Sequence, residues 1–581
     1  MRSRTLPGVR TLADYRLSWL RRDAVAGVVL TTLLVPQGMA YAELAGLPAI
    51  TGLYTTILCL LGYAVFGPSR LLVLGPDSSL GPMIAATILP IVGSGGSPER
   101  AIALASMMAL IVGAMMVAAG AAKLGFIADL LSKPTQIGYM NGLALTILIG
   151  QLPKLFGFST DANGFIDEVR AFVHGVSSGA VVGSAAAVGV GSLVLILALG
   201  RWLPRIPAVL MAVVVAIAAS SVFDLGGHGL SLVGTLPKGF PPLTVPNPIS
   251  DLPLLIAGAL GITLVALTDT ISTASSFAAR TGQEIDGNGE MIGIGAANLA
   301  AGLFQGFPVS TSGSRTAVAE QAGAKTQLTG VVGAGLIVLM LVLVPGLLKN
   351  LPNPTLAAVV IAASLSLADV RGSVRLWRQR RVEFLLMATA FLGVALLGVL
   401  EGIAVAVALS ILNVFRRAWW PYQTTLGRVP GMPGQHDRRL HPDAKQLPGL
   451  VIFRFDGPLF FANARTFREE IRRLNAAQPP PRWIMIASEP ITDVDTTAAD
   501  MLAELDQELN ADGTSLVFAE LKDPVRAKLD RYQLIGPLDP DHFFPTLEAG
   551  VEAFEATTAA SSQEATHDQQ DHPFRVRTNR R

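Results

Sequence analysis

Apolar segments of roughly 17–25 residues, the length a helix needs to cross a bilayer, recur along most of the chain and then stop. The clearest are Ala24–Ala45, Ala101–Ala121, Ala180–Leu199, Pro207–Val222, Leu252–Thr268, Gly330–Leu347, Phe384–Leu400 and Gly402–Val414. Two others, Ser78–Val92 and Ser312–Ala322, are shorter and begin with polar residues. Past residue 418 the period changes. Leu450–Phe455 alternates as a strand does, and Trp483–Ala487 and Ser515–Ala519 read as two more strands. Helical patterns at Arg465–Leu474, Thr497–Asn510 and Pro524–Tyr532 separate or follow them, which predicts a small α/β sheet. The pattern thus divides the chain into an N-terminal segment (1–22), a membrane part (23–418), a linker (419–448), an α/β domain (449–558) and a polar, disordered tail (559–581).

Composition agrees with a polytopic membrane protein. Of 581 residues, 51% are hydrophobic and 15% charged, against about 25% charged for a soluble domain. Mean hydropathy is +0.50. The net charge of +1 gives no basic field for nucleic acid. A single cysteine, Cys59, excludes an internal disulfide, and all seven histidines lie outside the apolar runs, which argues against a buried metal centre. Gly323-Ala324-Lys325-Thr326 lacks the Gly-Lys pair of a phosphate loop, and no catalytic triad or metal-ligand cluster is present. The expectation is no enzyme, no cofactor and no metal, with work driven by a solute gradient.

Arginines set the orientation. Arg2, Arg4, Arg10, Arg16, Arg21 and Arg22 precede the first span, which reads as a cytoplasmic N-terminus without a cleavable signal. Counting fourteen spans or half-spans places Arg70, Arg201, Arg205, Arg280, the cluster Arg371–Arg381, Arg416 and Arg417 on that same side. The α/β domain then lies in the cytoplasm, below a multi-pass inner or plasma membrane protein.

The chain also repeats itself. A β-like run, Leu71–Leu74, leads through Gly75-Pro76 into Asp77-Ser78-Ser79; another, Leu303–Phe307, leads through Pro308 into Ser310–Arg315. Each follows a span with a polar interruption, Pro36-Gln37 or Thr268-Asp269-Thr270, and the two halves are offset by 232–234 residues. Short, Gly/Pro-interrupted segments at matching places in two halves point to an inverted-repeat transporter site.

Several strings at these places resemble the sulfate permease (SulP) family: Val35–Tyr41, Gly46-Leu47-Pro48 with Gly52-Leu53-Tyr54, Phe66–Arg70, Ser275–Arg280, Asn288-Gly289-Glu290, Gly295–Asn298 and Gly306–Ala317. The stretch from Gly449 is similar to the STAS domain that ends such chains. The resemblance implies fourteen segments as two inverted halves of seven (about 23–222 and 252–418), a core domain carrying two half-helices, a gate domain, and a homodimer.

Candidate site residues follow from both readings. Ser78 and Ser79 mark one half-helix start, Ser312 and Ser314 the other; free N–H groups and the positive dipole end favour an anion there. Arg315 adds a full charge able to contact an oxyanion bidentately, or forms a structural ion pair with Glu320 or Asp269. Gln37 and Tyr41 share one helix face and can donate without adding charge. Asp269, alone in an apolar span, costs more charged than neutral and can carry a proton across; the resemblance implies a role in cation coupling. Asp77 is read as a helix cap that also tunes selectivity. In the STAS-like domain, Thr496 stands where the domain's relatives carry a phosphorylatable serine, although Asp495-Thr496-Thr497-Ala498 reads foremost as a helix cap. The expected activity is secondary transport of a small inorganic anion, sulfate before dicarboxylate, bicarbonate or chloride, with protons as the coupling cation. A membrane-anchored signalling scaffold is the alternative of another class, and a cytoplasmic partner of the STAS domain is compatible with either.

Overall fold

A computed structural model describes residues 7–8, 14–93, 96–125, 132–160, 164–203, 206–244, 246, 251–281 and 286–570. Arg2, Arg4, Arg10, Arg205, the Arg280 side chain and residues 571–581 lie outside it. The chain forms two compact units, Met1–Ile411 and Leu412–Arg581.

The first unit is helical. It runs α1 (Leu17–Leu44), α2 (Ala49–Phe66), a two-residue strand β1 (Leu74–Gly75), α3 (Gly81–Val92), α4 (Pro98–Ala121), α5 (Lys133–Leu155), α6 (Phe165–Ser177), α7 (Gly183–Trp202) and α8 (Ala208–Val222). It continues with α9 (Leu252–Thr281), α10 (Gly287–Leu303), β2 (Ser310–Thr311), α11 (Gly313–Gln321), α12 (Leu328–Leu343), α13 (Asn353–Leu367), α14 (Val370–Gln379), α15 (Arg381–Leu397) and the start of α16 (Val399–Trp419), whose residues from Leu412 belong to the second unit. Seven helices among the described residues are long and apolar enough to cross a membrane. At 12 and 9 residues, α3 and α11 are too short to do so, as the broken apolar runs predict.

β1 and β2 pair antiparallel, Leu74 opposite Thr311 and Gly75 opposite Ser310, each strand running toward a short helix. Sequence placed the second strand at Leu303–Phe307. Instead α10 extends to Leu303, and pairing begins only at Ser310 because Phe307 and Val309 are held by side chains. The Phe307 N–H donates to Thr55 Oγ1 (3.2 Å). Asn298 brackets Val309, accepting from its N–H (2.9 Å) and donating to its carbonyl (3.3 Å). The Val73 N–H donates to Thr316 Oγ1 (3.0 Å), and Gln327 donates to the Ser69 and Leu72 carbonyls (2.9 and 2.8 Å). Irregular backbone at membrane depth survives only where such partners replace water.

Close helix contacts come from small residues: a side chain on Gly52 would collide with the Gly38 carbonyl, which holds α1 against α2. At the far end of α1, wholly buried Asp23 accepts from the Lys325 and Thr326 N–H groups (2.6 and 3.2 Å) and from the Thr326 and Thr329 hydroxyls (2.8 and 3.2 Å). It ties α1 to the start of α12.

The second unit is a six-stranded sheet in the order β4-β3-β5-β6-β7-β8. Its elements are β3 (Tyr422–Gly427), β4 (His436–Asp437), β5 (Leu450–Asp456), α17 (Ala464–Asn475), β6 (Trp483–Ala487), α18 (Thr496–Ala511), β7 (Ser515–Ala519), α19 (Asp523–Arg531), β8 (Phe543–Phe544) and α20 (Leu547–Gln570). β3 is antiparallel to β5, while β5 through β8 are parallel. Alternation divides the two cores: Phe453, Phe455, Ile484, Ile486, Leu516 and Phe518 pack with α17 and α18, whereas Leu450, Ile452, Met485 and Val517 pack with Val551 and Phe554 of α20. Two expectations change here. Residues 419–448 are not a plain linker, since they supply two strands of the sheet; the tail's first residues continue the α20 helix to Gln570, because Val551 and Phe554 anchor that helix on the sheet.

Candidate functional site

A cavity of about 500 Å³ opens where the two short helices begin. Gln37 and Tyr41 of α1, Asp77, Ser78 and Ser79 before α3, Asp269 of α9, and Ser312 and Ser314 at the start of α11 all line it. Eight of the sequence-derived residues therefore face one space, although they come from four stretches up to 277 residues apart.

Local chemistry positions each group. Pro36 interrupts the backbone bonding of α1 directly before Gln37, and Tyr41 lies one turn on, 5% exposed. Asp77 caps the turn into α3: its Oδ1 accepts from the Ser79 N–H (2.9 Å) and the Ser79 hydroxyl (2.7 Å). Ser312 caps α11, accepting from the Arg315 N–H (3.4 Å), with its hydroxyl 3.1 Å from that of Ser314. Thr311 donates to Thr270 (3.2 Å), which fixes β2 against α9 beside Asp269. Ser79 Oγ also lies 3.2 Å from Asp269 Oδ2, so one hydroxyl bridges two carboxyl groups. From α5, Gln136 hydrogen-bonds to Asp269 and the Lys133 charge also acts on it, while Tyr139 lies near both carboxyls.

Arg315 is the exception. It does not line the cavity. Its side chain is 1% exposed and lies behind the β1–β2 junction, with Nη2 3.8 Å from Asp77 Oδ2. The acid beside it is Asp77, where the sequence reading offered Glu320 or Asp269. None of its guanidinium nitrogens makes a hydrogen bond among the described residues. Gly75 makes room for it: a Cβ there would stand 2.5 Å from Nη1. Arg315 thus lies one layer back from the cavity, placed as a charge rather than as a direct donor.

Sequence reasoning missed Ser272, Thr273, Thr311 and Ser366, which also line the cavity. Ser272 and Thr273 stand three and four residues after Asp269, the helical spacing that would have found them. Nothing in the sequence pointed to Gly75 beyond its neighbouring proline. Thr496 lies elsewhere, exposed at the start of α18, where Asp495 caps the helix by accepting from the Ala498 N–H (2.8 Å).

Short helices starting at a polar cavity inside a multi-pass helical unit, with an α/β domain appended, define a membrane transporter. The sulfate permease family matches residues 20–390, and the STAS domain matches residues 441–550. Over 552 residues the chain is 41% identical to a probable sulfate transporter of Mycobacterium tuberculosis, covering 94% of this chain and 98% of that one. It is 29% identical over 564 residues to sulfate transporter 1.1 of Arabidopsis thaliana, with 93% and 86% covered. The chain belongs to the sulfate permease family of membrane anion transporters, which are not enzymes. The fold is that of the murine Slc26a9 anion transporter in its inward-facing state (TM-score 0.87, 23% identity, 95% of this chain and 94% of that one). The transmembrane domain of the cyanobacterial bicarbonate transporter BicA is also similar (TM-score 0.59, 21% identity, 68% and 98% covered).

Proposed function

We propose that this protein is a proton-coupled secondary transporter of sulfate or a like oxyanion, working by alternating access with the anion held between the starts of α3 and α11. The observation that carries the reading is the shared cavity: both helix starts and Asp269 open on it, and the Arg315 charge lies behind. Sulfate is preferred over other anions because the 41% identical relative is named a probable sulfate transporter.

Coupling is argued from charge and hydrogen count. Two carboxyls face the cavity against Arg315, the one buried cation among the described residues, so an entering anion is best tolerated when one carboxyl is neutral. The Ser79 hydroxyl has a single hydrogen, and the shorter contact, to an Asp77 that also accepts a backbone N–H and faces Arg315, takes it. The Asp269 contact is then attractive when Asp269 carries the proton and donates to Ser79. Protonation of Asp269 and anion binding favour one another, and that reciprocity is what symport requires. In this reading the N-terminus and STAS domain face the cytoplasm of a cell-membrane homodimer, and the STAS domain is free to meet a cytoplasmic partner.

The test is radiolabelled sulfate uptake into proteoliposomes under an inward proton gradient, repeated with an ionophore and with competing dicarboxylate, bicarbonate and chloride at two pH values. Wild type accumulates sulfate only with the gradient. Asp269→Asn, which cannot ionise, retains pH-insensitive anion binding or exchange but loses accumulation. Uptake that follows sodium instead, or an Asp269→Asn protein that still accumulates with protons, overturns the coupling.

A further inference from the structure

We propose that the STAS domain touches the bilayer surface through Phe461, as part of a lipid-interface patch shared with the end of α16. The inference rests on the chain crossing a membrane through α16 and is independent of which ion or anion is carried.

The end of α16 reads like a passage from hydrocarbon to headgroups. Exposed Leu412, Val414 and Phe415 come first, then exposed Arg416 and Arg417, then Trp419 and Trp420. Apolar side chains suit acyl tails, long cationic ones snorkel outward, and indoles settle at the boundary. The two tryptophan rings stack with centroids 6.0 Å apart. On this ordering Ala418 lies in the headgroup layer.

A loop of the STAS domain is fastened to that level. Asn463 is wholly buried and uses its carboxamide throughout: Oδ1 accepts from the Phe460 N–H (3.0 Å), and Nδ2 donates to the Pro458 carbonyl (2.8 Å) and the Ala418 carbonyl (3.1 Å). From the other side, the Phe461 N–H donates to Asp495 Oδ2 (2.9 Å), the same carboxylate that caps α18. Pro421 also packs against this loop, near enough that a Cβ on Gly457 would meet it at 3.2 Å.

Clamped from both directions, the loop presents Phe461 at 69% exposure, with the Phe460 ring edge-on at 5.4 Å. A phenylalanine ring is stabilised by leaving water, a gain that a rigid loop in water would forgo. Two residues of chain reach at most about 7 Å, so Phe461 cannot leave the level set by Asn463 and Ala418. A lipid interface is the occupant this position fits: the patch is continuous with a membrane-crossing helix and mixes aromatic rings with arginines.

The test is made on the full chain in a Cys59→Ser background, with a nitroxide on Phe461→Cys, reconstituted in vesicles of phosphatidylcholine with a minor share of phosphatidylglycerol. Power saturation should show more collision with oxygen than with a water-soluble nickel chelate, the reverse of a reference label on Glu555→Cys, an exposed position of α20. Adding Asn463→Ala should shift the Phe461→Cys label toward that reference. A label at 461 that meets nickel as freely as the reference overturns the proposal. Shielding from both reagents overturns it too, because that is burial against protein. Sulfate uptake by the same labelled vesicles reports separately on the transport reading.

Discussion

The two units use arginine in opposite ways. In the STAS domain, Arg468 and Arg472 lie near the surface and bond to carboxylates across α17 and α18: Arg468 to Glu504 (2.9 Å) and to Glu508, Arg472 to Glu508 (2.7 Å). In the membrane unit, Arg315 is buried, unbonded through all three guanidinium nitrogens among the described residues, and 3.8 Å from its nearest acid. An exposed ion pair contributes little, since water solvates its members nearly as well when apart. A buried charge without matched hydrogen bonds is costly. The contrast separates charges that hold a scaffold from a charge that, in the proposed function, acts through its field on a neighbouring site.

The largest effect should come from removing the costly charge. Arg315→Gln is expected to lower concentrative sulfate uptake roughly 10–100-fold, the equivalent of about 1.5–3 kcal/mol for a unit charge acting across roughly 6–11 Å at an effective dielectric constant of about 20. Retention on size-exclusion chromatography would show the protein still folded, and near-normal uptake with unchanged affinity would refute the role. Gly75→Ala keeps the charge but displaces it, since the new methyl would stand 2.5 Å from Arg315 Nη1. Its effect should have the same sign and about a tenth of the size, read as a weaker apparent affinity in the same uptake assay.

Removing the other unit sharpens the contrast. Deletion from Tyr422 onward, which takes β3 with the sheet it belongs to, should lower transport or assembly severalfold, about 1 kcal/mol, and leave the order of anion competition unchanged. A truncated protein with a new anion preference would show that selectivity is not confined to the membrane unit. A deletion starting at Gly449 is expected to be worse behaved, because it strands β3 without its partner β5.

The smallest effect belongs to the surface network. Bonds from Arg472 and Arg468 hold the Glu508 carboxyl below its ordinary value of 4.5. The stability this supplies is full above that value and fades as pH falls through the lower folded-state value. After solvent screening, Glu508→Gln should cost less than about 1 kcal/mol at neutral pH, and less still in acid. Urea unfolding of the STAS unit at both pH values checks the sign.

Much of this was legible in the chain. The strands Trp483–Ala487 and Ser515–Ala519 fall where their short apolar runs placed them, since a parallel strand buried on both faces reads as a continuous apolar run. The short helices were visible as apolar runs too brief to cross a bilayer, and the 232–234-residue offset brought their polar starts into correspondence. The lone carboxyl Asp269 announced itself by its cost in an apolar span. β3, β4 and β8 were not legible: β4 and β8 have two residues each, and β3 exists because β5 pairs with it.

By itself, then, the sequence determined that the chain is a multi-pass membrane protein, where its apolar runs break and which residue types stand at the breaks, because length, period and charge are local properties. Tertiary structure alone decided which of those residues meet. It set Arg315 behind the strands rather than in the cavity, paired it with Asp77, and made Ser79 the bridge to Asp269. The reason is that a buried charge is positioned by the room left for it, and that room comes from Gly75, a residue 240 positions away that contributes it by lacking a side chain.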